Sequence, residues 1–289
     1  MPFDAPPSAI NALLTHFVTA LWEAPQEAAL VPPLMIWGPP GVGKSAVVRQ
    51  VAKSLGIGLV DIRLAQREPV DMRGLPVPDA DGNAVRWLVA SEWPREPESR
   101  GIIFFDELTA ADRTLQAAAY EMILDRRLGD LYRVPNGWYI AAAGNRAADR
   151  AVSTPMSSAL ANRFCHVTMG ADAQGWLKWG RSAGLHPAVL GFIAWRPNLL
   201  FDLGADCQQG WPSPRSWERV SYVLQLADRR GRTGALDFLN LQISGLIGSG
   251  AAIEFLAFLQ QSLNGPSAED ILIGGADVVI PLRADQRFA

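Results

Sequence analysis

The sequence predicts an α/β fold: a parallel sheet covered by helices, followed by a second, all-helical domain. Three observations predict it. Short apolar or β-rich runs at 34–37, 58–64, 101–105, 138–143 and 165–169 alternate with helical patterns, as in strands joined by crossover helices. Several of these runs are continuously apolar, the signature of strands buried on both faces. From 171 onward, apolar residues recur instead at helical spacing.

A proline-rich lead opens the chain, and Ser8 is placed to cap a short helix with Ile10, Leu13, Leu14, Phe17, Val18 and Leu21 on its apolar side. Pro25, Pro32 and Pro33 bring the chain to a first strand, Leu34 to Trp37. A helix follows through Val47, Val48, Val51 and Leu55, and then a second strand from Gly58 to Leu64. Residues 65–100 are less regular. Asp79-Ala80-Asp81-Gly82-Asn83 has strong turn chemistry between two apolar runs, which predicts a small projecting hairpin. Gly101 to Phe105 is the next strand, buried on both faces. Asp112 can cap a helix through Leu115, Ala118, Ala119, Met122 and Ile123. Trp138 to Ala143 is another buried strand. After a polar stretch at 146–156 come a short helix at 157–162 and a last strand, Cys165 to Met169.

The domain boundary falls at Gly170, which gives an α/β domain at 1–170, with a helical lead at 1–30, and a helical domain at 171–289. In the second domain Asp172 opens a helix with Trp176, Leu177 and Trp179, and His186-Pro187 opens another. Ser213-Pro214 is a strong helix start, with serine as cap and proline at the first position. Two more amphipathic helices span 235–247 and 251–263, and the tail from Gly274 alternates Val278, Ile280 and Leu282.

Composition narrows the function classes. Hydrophobic residues make up 49% of the chain, enough for a substantial core. The net charge of -3 argues against a mainly electrostatic, nonspecific DNA binder. Cys165 and Cys207 lack metal-ligand spacing. No basic-then-apolar leader and no run of about eighteen apolar residues is evident, so a cytoplasmic protein without a membrane span is expected.

Two stretches carry chemistry. The first is Gly38-Pro39-Pro40-Gly41-Val42-Gly43-Lys44-Ser45-Ala46, set between a buried strand and a helix. Glycines let the backbone curl so that successive N–H groups point at phosphate oxygens, and the helix N-terminus adds partial positive charge there. Lys44 would reach the β- and γ-phosphates, and Ser45 would ligate Mg²⁺. The second is the pair Asp106-Glu107 at the C-terminal end of a buried strand, where a parallel sheet opens its ligand crevice. Asp106 is placed to hold the Mg²⁺ shell, and Glu107 to orient and deprotonate water. A further strand ends in Gly144-Asn145, whose amide could hold that water or a phosphate.

The order of these motifs resembles an AAA+ ATPase, and within that group the MoxR-like branch. The resemblance covers about residues 30–230, with Gly38–Ser45 and Asp106–Glu107 as its Walker-type motifs. Glu107-Leu108-Thr109-Ala110-Ala111-Asp112-Arg113-Thr114-Leu115-Gln116 is similar to the MoxR-like segment after Walker B. Ala143-Gly144-Asn145 is similar to sensor 1. Ser158-Ala159-Leu160-Ala161-Asn162-Arg163-Phe164 is similar to the segment bearing the arginine finger, and Pro214-Arg215-Ser216 to sensor 2 in the helical lid. The resemblance implies a P-loop NTPase core with a helical lid, ATP and Mg²⁺ as cofactors, and a ring, usually a hexamer, with Arg163 completing a neighbour's site. Plainer roles stand beside these: Arg163 could cap its own helix, Arg215 could be a surface arginine, and Arg113 is a second candidate for a contact in trans.

The implied activity is ATP hydrolysis that remodels or activates a protein partner, often one with a von Willebrand A domain. The alternative is an ATPase acting on nucleic acid as a loader or translocase, for which Arg63, Arg67 and Arg73 would have to line a pore. A third reading, a nucleotide-binding module without hydrolysis, has no use for Glu107.

Overall fold

The computed structural model describes residues 4–149, 153–204, 209–231 and 236–264. They form two compact units that divide between Gly170 and Ala171.

The first unit starts with a two-residue strand, β1 (Asp4–Ala5), and helix α1 (Pro7–Glu23). This helix is long rather than short. Its cap position is Pro6 and it has no side-chain cap, so Ser8 lies inside its first turn. Strand β2 (Leu34–Trp37), helix α2 (Lys44–Leu55) and strand β3 (Gly58–Arg63) follow. Leu64, expected to end the strand, begins a 3-10 turn. A one-turn helix α3 (Pro69–Arg73) precedes the hairpin β4 (Leu75–Pro78) and β5 (Val85–Leu88). Then come β6 (Gly101–Asp106), α4 (Arg113–Asp125), a minimal hairpin β7 (Arg127–Leu128) and β8 (Tyr132–Arg133), β9 (Trp138–Gly144), α5 (Ser158–Ala161) and β10 (Cys165–Met169).

Six strands form one parallel sheet in the order β1-β10-β2-β9-β6-β3. Its two faces are both buried, which is why β6 and β9 read as unbroken apolar runs. Ile103, Phe105, Ile140 and Ala142 face a cluster with Leu115, Ala119 and Met122 of α4. Ile102, Phe104, Tyr139 and Ala141 face Leu14 and Val18 of α1 and Val48 and Val51 of α2. Alternate side chains of one strand thus serve opposite cores. The strand order sets the ends of β2, β9 and β6 side by side, and the chemistry gathers at those ends.

The second unit is helical where described: α6 (Ala173–Ser182), α7 (Pro187–Trp195), α8 (Pro214–Arg229), α9 (Leu236–Ile247) and α10 (Ser249–Asn264). Its core is aromatic. Phe192 packs against Trp217, Phe255 and Phe258 with ring centroids 5.2 to 5.5 Å apart, and the Trp217 indole N–H donates to the Leu199 carbonyl at 2.8 Å. Ser213 caps α8 with the reciprocal serine pair Ser213–Ser216. The expected alternating tail from Gly274 and Cys207 lie outside the described residues. Among the described residues, no helix is long and apolar enough to cross a membrane.

Candidate active site

The loop from Gly38 to Gly43 leaves the end of β2 and enters α2 at Lys44. Gly41 and Gly43 adopt φ of 81° and 110°, a region that side chains strain. Gly38 is required for space as well, since a Cβ there would sit 2.7 Å from the Met169 carbonyl oxygen. Gly43 occupies the cap position of α2 without a side-chain cap, so the first N–H groups of the helix remain for a ligand. Pro39, Pro40 and Val42 complete the turn, with Val42 buried in the core and Ala46 in the first turn of the helix.

Lys44 is buried, and its ammonium spans the loop. It donates to the Gly38 carbonyl at 2.5 Å, the Pro39 carbonyl at 3.0 Å and Asn145 Oδ1 at 2.9 Å. A buried ammonium at the mouth of a glycine loop is placed where an anion would gain a charge-assisted contact. Ser45 Oγ donates to Asp106 Oδ2 at 2.5 Å. Asp106 ends β6 and is itself buried; its other oxygen accepts from the Glu107 N–H at 3.0 Å. Ser45 and Asp106 form an all-oxygen donor pair. Among the described residues, no group of three or more His, Cys, Asp or Glu could hold a metal by itself. That pair fits Mg²⁺, which keeps waters and phosphate oxygens as its other ligands, and does not fit zinc.

Glu107 follows directly, exposed to solvent, with φ 56° and ψ 31°. A left-handed non-glycine residue costs free energy and turns the chain out of the strand line at this point. Asn145 sits one residue beyond the end of β9, between the ends of β2 and β6. The structure therefore brings Lys44 onto Asn145 and its chain neighbour Ser45 onto Asp106, with Glu107 adjoining Asp106.

Arg163 is elsewhere. It lies just before β10, where Cys165 pairs with Leu34 at the start of β2, whereas the glycine loop follows Trp37, which pairs with Thr168. At about 3.3 Å per residue, the two ends of these strands are about 10 Å apart before the loops are counted. Arg163 is exposed; its backbone N–H donates to the Leu160 carbonyl at 3.1 Å, whereas its guanidinium makes no hydrogen bond or ion pair among the described residues. Arg113, the first residue of α4, is also exposed. Arg215 is exposed at the second position of α8 in the helical unit.

One residue here was not singled out from the sequence, although it lies in the segment Glu107–Gln116. Thr109, fully buried, bonds both main-chain groups of Asn145 through its hydroxyl. A lone threonine between Leu108 and Ala110 looks like any turn residue, and the register of β6 beside β9 is what makes it a neighbour of position 145.

The profile of one family, described as the ATPase family associated with various cellular activities (AAA), matches residues 34–147, from the first residue of β2 to just past Asn145. Over that segment the chain is similar to this family. No curated protein matches the chain. Among solved structures, a Cytophaga hutchinsonii protein provisionally described as an ATPase aligns at 20% identity over 61% of this chain and 50% of its own, with a TM-score of 0.43. The Thermotoga maritima RuvB Holliday junction branch migration motor aligns at 15% identity over 84% and 66%, with a TM-score of 0.45. Brucella abortus NtrX in complex with ADP aligns at 17% over 85% and 67%, with a TM-score of 0.36. The chain spans half the length of the first of these proteins and about two thirds of the other two. The matched segment contains the glycine loop, both acids and Asn145. Arg163 and Arg215 lie beyond it.

Proposed function

We propose that this chain is a MoxR-like AAA+ ATPase that hydrolyses ATP at contacts between copies in a ring and so remodels or activates a protein partner. The observation that carries the reading is the contact set at the strand ends: Lys44 on Asn145, and Ser45 on Asp106, with Glu107 next in the chain. The triphosphate would take the place of the carbonyls and amide that now hold Lys44. Ser45 and Asp106 would hold Mg²⁺, which neutralises charge on the phosphates when bound. Glu107 would take a proton from water, and Asn145, freed from Lys44, would orient that water or the γ-phosphate. Arg163, remote from its own loop and unengaged, would reach the site of an adjoining copy and stabilise charge on the transferring phosphoryl group. Arg215 would sense the γ-phosphate from the helical unit.

A protein is favoured as the object of this work over nucleic acid. Of the three arginines that would have to line a nucleic-acid pore, Arg67 is paired with Glu92 at 2.8 Å. The chain is also mildly acidic overall. A von Willebrand A domain is the partner type that the MoxR resemblance implies.

The test is ATP binding and phosphate release by the purified chain with Mg²⁺. Lys44→Ala should abolish binding. Glu107→Gln should bind ATP normally and turn over about 10² to 10⁴ times more slowly, the range that a general base contributes. Absence of Mg·ATP binding by the unmodified chain overturns the proposal. Stimulation by DNA that falls steeply with salt would transfer it to the nucleic-acid alternative.

A further inference from the structure

We propose that Thr109 is a positioning residue that sets the Asn145 amide and the Glu107 carboxylate in register across the site; this rests on the ATPase reading above. Thr109 is 1% exposed. Its Oγ1 accepts from the Asn145 N–H at 3.0 Å and donates to the Asn145 carbonyl at 3.1 Å. One hydroxyl thus grips both main-chain groups of the residue whose side chain meets Lys44. The grip is braced on two sides. Ser153 Oγ donates to the same Asn145 carbonyl at 3.1 Å, and the Thr154 N–H donates to the Thr109 carbonyl at 2.6 Å. Packing completes it: a Cβ on Gly144 would lie 2.7 Å from Thr109 Oγ1 and 2.8 Å from its Cγ2, so the strand end and the threonine are already in contact.

The other end of the link is Glu107. Thr109 belongs to the single 3-10 turn Leu108–Ala110, which is closed by the Ala110 N–H donating to the Glu107 carbonyl at 2.9 Å. The acid and the amide follow different strands, 38 positions apart in the chain, and beyond the end of the β6–β9 ladder this hydroxyl bonds one segment directly to the other. Removing it leaves the Asn145 N–H without its acceptor and frees the peptide to turn. A displacement of about 1 Å in a reacting group is enough to cost about a hundredfold in rate. Binding of nucleotide depends instead on the glycine loop and Lys44, which Thr109 does not touch.

Thr109→Ser and Thr109→Ala both lose the Cγ2 methyl and differ only in the hydroxyl, so their comparison isolates the two hydrogen bonds from packing. In steady-state hydrolysis by the full chain, kcat of Thr109→Ala should fall 10- to 100-fold below that of Thr109→Ser. KM and the ATP dissociation constant should stay within about threefold. Hydrogen exchange at the Asn145 amide should speed up by a similar factor in the alanine variant, a readout that needs no turnover. If Thr109→Ala does not fold, Thr109→Val, which keeps the shape, takes its place. Equal kcat or equal exchange in the paired variants overturns the role of Thr109 and leaves the ATPase reading standing. Loss of ATP binding in step with kcat overturns it too, by making the residue merely structural. Failure of the unmodified chain to bind Mg·ATP is the separate result that removes the ATPase reading, and the exchange measurement still decides the clamp.

Discussion

Glu107 holds a backbone conformation that a glutamate does not favour, with φ 56° at the turn out of β6. Such residues cluster at working sites because the fold tolerates about 1 kcal/mol or more of local strain in return for an aimed side chain. Asparagine enters the left-handed region more readily. Glu107→Asn should therefore stabilise the domain while removing the base. The expected rise in thermal midpoint is about 2–4 °C for a gain of about 1 kcal/mol, read by calorimetry, together with loss of phosphate release. A lower midpoint would mean that the glutamate is not strained where it stands.

At the scale of elements, the helices depend on their ends as much as on their apolar faces. Asp112 Oδ1 accepts from the Thr114 N–H at 2.7 Å and the Leu115 N–H at 2.9 Å, and so starts α4, whose other face carries Leu115, Ala119 and Met122 into the core. Asp112→Ala should cost about 1 kcal/mol, seen as a lower midpoint in urea, with ATP affinity unchanged. The cap was legible in the sequence because an acid stood directly before an apolar helical pattern. The central strands were legible for a similar reason: a run buried on both faces can be recognised without knowing its neighbours. β1 and the β7–β8 hairpin were not, because strands of two residues show no alternation, and the single turn of α3 lies in a polar stretch with no apolar face to mark it. The same limit applies within the site. Lys44, Ser45, Asp106 and Glu107 follow from local spacing, whereas the clamp of Thr109 on Asn145 depends on which strands lie side by side, and that order is a property of the whole sheet.

For the whole molecule, the decisive geometry is that one parallel sheet has two unlike ends. The glycine loop, both acids and Asn145 gather where the strands finish, and Arg163 stands where β10 begins. On the proposed ATPase reading, an arginine so placed would complete a site on another copy rather than its own. Arg163→Ala should therefore keep ATP binding and lose hydrolysis. Mixing it with Lys44→Ala should restore part of the activity, because a Lys44→Ala copy can lend its intact arginine to an Arg163→Ala neighbour. Phosphate release no greater than the sum of the separate proteins, at concentrations where they co-assemble, counts against action in trans. A last consequence belongs to Gly144. The space where its side chain would begin is already taken by Thr109 and the Met35 methyl. In other chains built this way, positions 35, 109 and 144 should covary: a bulkier residue at 144 would demand smaller partners at the other two, so evolutionary drift at any one of them is restrained by both of its neighbours.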